Sequence, residues 1–160
     1  MKTLVLVRHG RASQHMTRLP DADKPLDEKG YDEAYFMSTK PAIITLMPQL
    51  IIASPAIRAF TTALIFARNL KYPAGKLIID DRVYNASDEA LLDVIHSIPD
   101  ENDRVFIFGH NPSMTRIANL LCTHFTDHVP TCGICCMDFA MASWSDIRSK
   151  AGKLRFFDHP

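Results

Sequence analysis

The chain has 160 residues, a length that suits one α/β domain spanning residues 1–160 and excludes two such units. Eighteen Lys and Arg balance eighteen Asp and Glu, and 47% of the residues are hydrophobic. These values exclude a disordered chain, and they exclude a nucleic-acid or membrane surface that works through overall charge. Any anion recognition must come from a few converging side chains. No apolar run reaches membrane-spanning length. Met1-Lys2, with five residues before Arg8, is too short for a signal-peptide core, so the cytoplasm is the expected compartment.

Thr3-Leu4-Val5-Leu6-Val7 reads as a short strand buried on both faces, and it stops abruptly on Arg8-His9-Gly10. An arginine beside a histidine at the end of a buried strand is hard to justify by packing, because both carry polar atoms that must be satisfied once desolvated. Open α/β sheets place their ligands at the carboxyl ends of parallel strands. The stretch therefore has two readings: an anion site, with phosphate the natural ligand and His9 at its centre, or a strand that ends on polar surface residues.

Arg11 to Lys29 has two prolines, scattered charges and no periodicity, and it reads as a long loop of the kind that often carries function. Gly30 to Lys40 places Tyr31, Ala34, Tyr35 and Ser38 at helical spacing, with Asp27 and Glu28 suited to a helix start. Pro41 to Pro48 is apolar without a decisive period. Leu50-Ile51-Ile52-Ala53 is a second buried strand, and Ser54-Pro55 after it reads as an N-cap followed by proline at the first helical position. The helix carries Phe60, Leu64 and Ala67 on one face and Arg58 in its first turn, where a cation is mildly unfavourable unless an anion sits beside it.

Leu77-Ile78-Ile79 is expected to be a third strand, and Ser87 to cap a helix from Asp88 to His96. Val105 to Phe108 is a fourth strand. Gly109-His110-Asn111-Pro112 after it again reads as a cap and proline opening a helix, with Met114, Ile117, Ala118 and Leu121 inward. Cys136 to Ala142 and Lys153 to Phe157 read as a C-terminal antiparallel hairpin. The expected fold is a three-layer α/β/α arrangement around a mostly parallel sheet with right-handed crossovers.

Cys122, Cys132, Cys135 and Cys136 offer no matched ligand spacing beyond Cys122 and His124, so they read as free buried thiols, and no metal is expected. His15, His96, His124, His128 and His159 read as surface or structural residues, although His15 follows the first strand closely enough to line a site there.

Three strands thus deliver Arg8 and His9, Ser54 and Arg58, and His110 to one sheet edge. Two guanidiniums and two imidazoles there suit a dianion, because planar Arg forks match phosphate oxygens and helix N-termini add backbone donors. With these residues in view, the chain resembles the histidine phosphatase superfamily, the phosphoglycerate mutase-like group. Its hallmark Arg-His-Gly stands here as Arg8-His9-Gly10. The Ser-Pro-x-x-Arg context of its second arginine matches Ser54 to Arg58, and its second histidine matches His110. Asp23-Lys24-Pro25-Leu26, Gly30 and the short length look most like the SixA-type phosphohistidine phosphatase branch.

The resemblance implies that His9 attacks phosphorus and becomes phosphorylated, while Arg8, Arg58 and His110 hold the phosphoryl oxygens. It implies no cofactor and no metal. Positioning and charge stabilisation supply most of phosphoryl transfer, and a neutral imidazole is available at neutral pH.

There are departures. Ala12 replaces the Ser or Thr common two residues after the hallmark glycine, and Asn85 falls where many relatives have an acidic proton donor. Asp88 and Glu89 are the nearest carboxylates, either as a general acid or as first-turn acids favoured by the helix dipole. Lys24, where the branch tends to have arginine, either steers an acidic substrate or is a plain loop lysine. The expected partner is a phosphorylated protein domain, with phosphohistidine as the group removed, or a small phosphorylated substrate. A non-catalytic phosphate-binding module is the rival from a different class.

Overall fold

The structure, a computed structural model, describes residues 1–160. Its centre is a six-stranded sheet in the order β3-β2-β4-β1-β5-β6. The strands are β1 (Lys2–Arg8), β2 (Leu50–Ala53), β3 (Ile78–Ile79), β4 (Arg104–Gly109), β5 (Ile134–Phe139) and β6 (Lys153–Asp158). β1, β4, β2 and β3 run parallel, and β5 and β6 are antiparallel additions beside β1. The helices are α1 (Glu28–Ser38), α2 (Pro41–Ile44), α3 (Ile57–Asn69), α4 (Asp88–His96) and α5 (Ser113–Leu121).

Alternation along β1 explains the three layers, because successive side chains of a strand point to opposite faces. Leu4 and Leu6 join one core with Leu91, Val94, Ile117 and Leu121 of α4 and α5. Val5 and Val7 join the other with Ala34, Met37 and Phe66 of α1 and α3. Both faces are therefore covered, and β1 reads as a continuous apolar run for that reason.

Several boundaries differ from the sequence reading. α1 begins at Glu28, because the Asp27 side chain accepts the Gly30 N–H at 2.8 Å and caps the helix. Its Tyr31 and Tyr35 face outwards, 43% and 42% exposed, and Ala34, Met37 and Ser38 supply the buried side. The Pro41 to Pro48 segment resolves into the single turn α2 with proline at its start. β3 keeps two residues at an exposed sheet edge. The hairpin strand begins at Ile134, and its connection to β6 contains Trp144, fully buried, with its Nε1–H donated to the Asn102 carbonyl at 2.7 Å.

Two expected caps are used differently. α3 starts at Ile57 with no side-chain cap, although Ser54-Pro55 precedes it. α5 starts at Ser113, after Pro112 rather than with it, and the Asn111 amide turns away to donate to the Val129 carbonyl at 2.9 Å. Ser87, by contrast, accepts the Ala90 N–H and caps α4 as expected.

The loop between β1 and α1 is tied at its base. Ser13 N–H donates to Pro25 O at 2.8 Å, Asp27 N–H donates to Arg11 O at 3.0 Å, and a short 3-10 turn forms at Asp21–Asp23. Gly10 and Gly30 make this closure possible. A Cβ on Gly30 would stand 2.2 Å from the Arg11 carbonyl oxygen, and one on Gly10 would stand 2.7 Å from the Gly30 carbonyl oxygen. Backbone cannot yield there as a flexible side chain does. Gly30→Ala is expected to destabilise the fold by about 1–3 kcal/mol or more, the range for overpacking. Urea unfolding measures it; an unchanged midpoint would show that α1 can move away from the loop.

Candidate active site

The register of the parallel strands builds the site. Arg8 pairs with Gly109 across β1 and β4, and Ala53 pairs with Phe108 across β2 and β4. His9, Ser54 and His110 consequently emerge together, each one residue past its strand, at the carboxyl edge of the sheet. His9 N–H donates to Gly109 O at 3.1 Å and Ser54 N–H to Phe108 O at 3.0 Å, so the backbone stays locked just beyond the strands. Gly10 N–H donates to the Thr62 hydroxyl at 3.0 Å, and that hydroxyl donates to Arg58 O at 2.7 Å, which fastens the turn to α3.

His9 is 8% exposed, and its Nδ1 lies 2.7 Å from the Gly10 carbonyl. A carbonyl only accepts, so Nδ1 carries the proton and Nε2 keeps the lone pair. Burial, reinforced by the nearby His110, Arg58 and Arg8, pushes the His9 pKa from 6.5 down to about 3, against the favourable Gly10 contact. The ring is thus neutral and nucleophilic at Nε2. The His110 ring lies 5.0 Å from it, centroid to centroid, and burial with the Arg58 charge lowers the His110 pKa to about 4.

These shifts carry a stability prediction. Both histidines bind protons more readily when unfolded, so between their folded values and 6.5 the unfolded chain holds more protons. Their contribution is therefore fully present above pH 6.5 and is lost as pH falls towards 4 and then 3. A thermal-unfolding series from pH 7 to 4 is expected to show falling Tm, with a shallower fall in His110→Asn. Parallel slopes would mean that His110 titrates normally in the folded protein.

The arginines differ in how they are held. Arg8 donates from one terminal nitrogen to Val129 O at 3.0 Å and lies 3.1 Å from His128 Nε2, while its buried Nε has no partner. Arg58, 8% exposed, donates Nε–H to His9 Nε2 at 3.3 Å. Its two terminal nitrogens donate to Asp21, at 2.6 Å to the carbonyl and 2.8 Å to the carboxylate. The same carboxylate accepts the Tyr84 hydroxyl at 2.7 Å, and the Tyr84 ring meets His110 edge-on at 5.4 Å. Hydrogen bonds from Tyr84 and Arg58 hold the Asp21 carboxyl below its ordinary range, so it is ionised.

A cavity of roughly 320 Å³ opens in front of His9 and Arg58 and is lined by Ser13, Thr17, Asp21 and Lys24 among others. Lys24 thus lies on the wall of this cavity. Asp88 and Glu89 do not line it: Asp88 accepts Arg116 Nε–H at 2.8 Å, and Glu89 is exposed in the first turn of α4. Asn85 is exposed too. His15 is exposed outside the cavity, whereas His128, read from sequence as surface or structural, reaches Arg8.

Sequence reasoning missed Asp21, Tyr84 and His128 as neighbours of the site. Arg58 in a helix first turn was a signal that some anion lay beside it; Asp21 is that anion here. The four cysteines are buried, and burial pushes Cys122 up to about 11 and Cys135 and Cys136 up to about 12, so they are inert thiols. No three His, Cys, Asp or Glu side chains are grouped as a metal site.

A neutral, buried histidine and a second histidine thus stand together at the carboxyl edge of the parallel sheet with Arg8 and Arg58 nearby. Of these four, His9 and Arg58 line the cavity while Arg8 and His110 lie behind it. The family model of the histidine phosphatase superfamily (branch 1) matches residues 4–85, and the chain belongs to that superfamily. Comparison with curated proteins gives no match.

Among solved structures, one from Agrobacterium tumefaciens assigned as the phosphohistidine phosphatase SixA is 24% identical, with a TM-score of 0.81 over 99% of this chain and 98% of that one. The protein histidine phosphatase SixA complexed with tungstate is 18% identical, with a TM-score of 0.81 over 98% and 96%. A mycobacterial glucosyl-3-phosphoglycerate phosphatase is 15% identical, with a TM-score of 0.67 over 96% and 97%. These likenesses are of fold. No helix of the structure is long and apolar enough to cross a membrane.

Proposed function

We propose that the protein is a phosphatase that works through a phosphohistidine on His9 and that its substrate is phosphohistidine on a protein. The observation that carries this reading is the pairing of a neutral His9 Nε2 with two buried polar atoms that lack partners, Arg8 Nε and His110 Nδ1. Buried polar groups are normally satisfied, and a phosphoryl group bound against His9 supplies oxygens for both.

In the first step the His9 Nε2 lone pair forms a bond to phosphorus as the bond to the leaving group breaks, and the leaving group takes the electron pair. Arg8, Arg58 and His110 stabilise the equatorial oxygens. In the second step water attacks phosphorus, Nε2 leaves with its electron pair, and the carboxylate of Asp21 is the group in the pocket able to take the proton.

The substrate class follows from the proton inventory. An alkoxide, whose conjugate acid has a pKa of about 16, needs a proton in the transition state, and a general acid typically contributes about 10²–10⁴-fold. Asp21 is held ionised, and Asp88 is committed to Arg116, so no ready acid faces the leaving group. A phosphohistidine whose ring carries a proton on its other nitrogen releases neutral imidazole, whose conjugate acid has a pKa of about 6.5, so this leaving group needs no proton from the pocket. A phosphoramidate is therefore favoured over a sugar or serine phosphate, and Lys24 in the cavity lining suits an acidic protein surface.

The fold similarity to the glucosyl-3-phosphoglycerate phosphatase supports a second reading, a small-metabolite phosphomonoesterase. The test compares kcat/KM for a phosphohistidine protein, p-nitrophenyl phosphate and 3-phosphoglycerate in wild type, Asp88→Asn, Glu89→Gln and Asp21→Asn. Preference for the first two by about a hundredfold or more is expected, with Asp88→Asn and Glu89→Gln unaffected. Efficient alkyl phosphate hydrolysis that disappears in Asp88→Asn or Glu89→Gln would identify the missing acid and favour the metabolite reading, whereas loss on every substrate in Asp21→Asn is the result expected of the base in the second step. Absence of both turnover and covalent phosphorylation with every donor, acetyl phosphate included, would leave the phosphate-binding module.

A further inference from the structure

The sequence reads Ser54 as a helix cap, yet α3 begins three residues later, at Ile57, with no side-chain cap. The side chain is fully buried, and its Oγ has two partners, the Ala56 N–H at 3.2 Å and His110 Nε2 at 2.7 Å. His110 is 6% exposed, and its other ring nitrogen, Nδ1, has no partner.

Proton accounting separates the two neutral tautomers of His110. If Nε2 carries the proton and donates to Ser54, the serine hydroxyl hydrogen has no acceptor, and Nδ1 is a second orphan. If the serine donates to Nε2, its hydrogen is used, its oxygen still accepts from Ala56, and a single orphan remains, the Nδ1–H. An unsatisfied buried polar group costs about 1–3 kcal/mol, so the second arrangement is the stable one. Nothing on the protein accepts that remaining proton.

The geometry points to Ser54 as a positioning residue that fixes His110 as its Nδ1–H tautomer, so that the ring presents a neutral hydrogen-bond donor to an anion bound against His9. Resting on the phosphatase reading, this explains how an uncharged His110 contributes to charge stabilisation: a donor fixed before the reaction needs no reorganisation when oxygen charge develops. A ring locked in the other tautomer would turn a lone pair towards the same oxygen and repel it. Ser54 acts through His110 and need not touch substrate.

The test reads the tautomer directly, in protein labelled with 15N-histidine, by long-range 1H–15N correlation spectra, with His110→Gln assigning the ring. Wild type is expected to show the proton on Nδ1 of His110, and Ser54→Ala to shift it towards Nε2 or a mixture. In the same variant kcat for p-nitrophenyl phosphate should fall about 10–100-fold with KM changed much less, the scale for losing a partner that orients a functional histidine. Inhibition by orthovanadate should weaken in parallel. Ser54→Thr, which keeps the hydroxyl, should restore both tautomer and rate.

A proton on Nε2 in wild type would overturn the assignment even if no variant folds. So would a folded Ser54→Ala with wild-type tautomer and kcat. Because the spectrum needs no turnover, absence of phosphatase activity would remove the functional reading while leaving the tautomer to be decided on its own.

Discussion

Replacing His9 by alanine is expected to abolish turnover and, with it, the covalent phosphorylation of the protein, while the fold persists. Removing the nucleophile of a group-transfer site typically costs about 10⁶-fold in kcat. Intact mass after incubation with acetyl phosphate and quenching in base should show one added phosphoryl group in wild type and none in His9→Ala. The fold persists because the imidazole sits past the end of β1, outside both apolar cores, and its anchors, the Gly109 carbonyl and Thr62 hydroxyl, bond the backbone of residues 9 and 10. A His9→Ala protein that still acquires phosphate would place the nucleophile elsewhere, with His110 the first candidate.

Arg58→Ala carries the next largest expected effect, a loss of about 10²–10⁴ in kcat, the scale for removing a charge-stabilising donor from a water-poor site. Three properties make this side chain hard to replace. Its Nε meets His9 Nε2, its terminal nitrogens donate to the backbone carbonyl and to one carboxylate oxygen of Asp21, and it is almost fully buried. A lysine offers a point charge and no fork, so Arg58→Lys should recover little. The variant also removes one of the two bonds that keep Asp21 ionised, and its carboxyl pKa should rise. Near wild-type kcat in Arg58→Ala would remove this arginine from the phosphate pocket and leave Arg8 and His110 as the oxygen ligands.

The resting Arg58–Asp21 pair bears on how that experiment is interpreted. The fork is already occupied, so a phosphoryl anion must compete with a carboxylate that is half in solvent, its side chain 54% exposed. Only the Asp21 side of the pair faces solvent, the Arg58 side chain being 9% exposed, whereas a dianion brings more charge to the same fork. Substrate binding therefore includes displacing Asp21 from the fork, and Asp21→Asn, which weakens that competitor, is expected to lower KM.

The alternation of buried apolar runs with helical segments was sufficient to indicate the layers and the parallel core of the sheet, because both depend on local periodicity and on the handedness of crossovers. Ser87 was legible as a cap for the same reason, since its partner lies three residues away. Ser54-Pro55 and Asn111-Pro112 carry the same local signal and are used otherwise. A cap contributes about 1 kcal/mol, and each side chain found a distant partner instead, the buried His110 for Ser54 and the Val129 carbonyl, in a half-buried setting, for Asn111.

Arg8, His9, Arg58 and His110 could be assigned to one sheet edge from sequence because each follows a buried strand, and the ends of parallel strands align. Asp21, Tyr84 and His128 could not, because they sit on irregular segments whose contacts with Arg58, Asp21 and Arg8 span long stretches of chain and leave no periodic trace. The sequence by itself determined the strands and the residues at their carboxyl ends, through patterns that act over a few positions. Only the tertiary structure decided the protonation of the rings, the partner of each guanidinium and the ionised state of Asp21, because burial and distant charges set those properties.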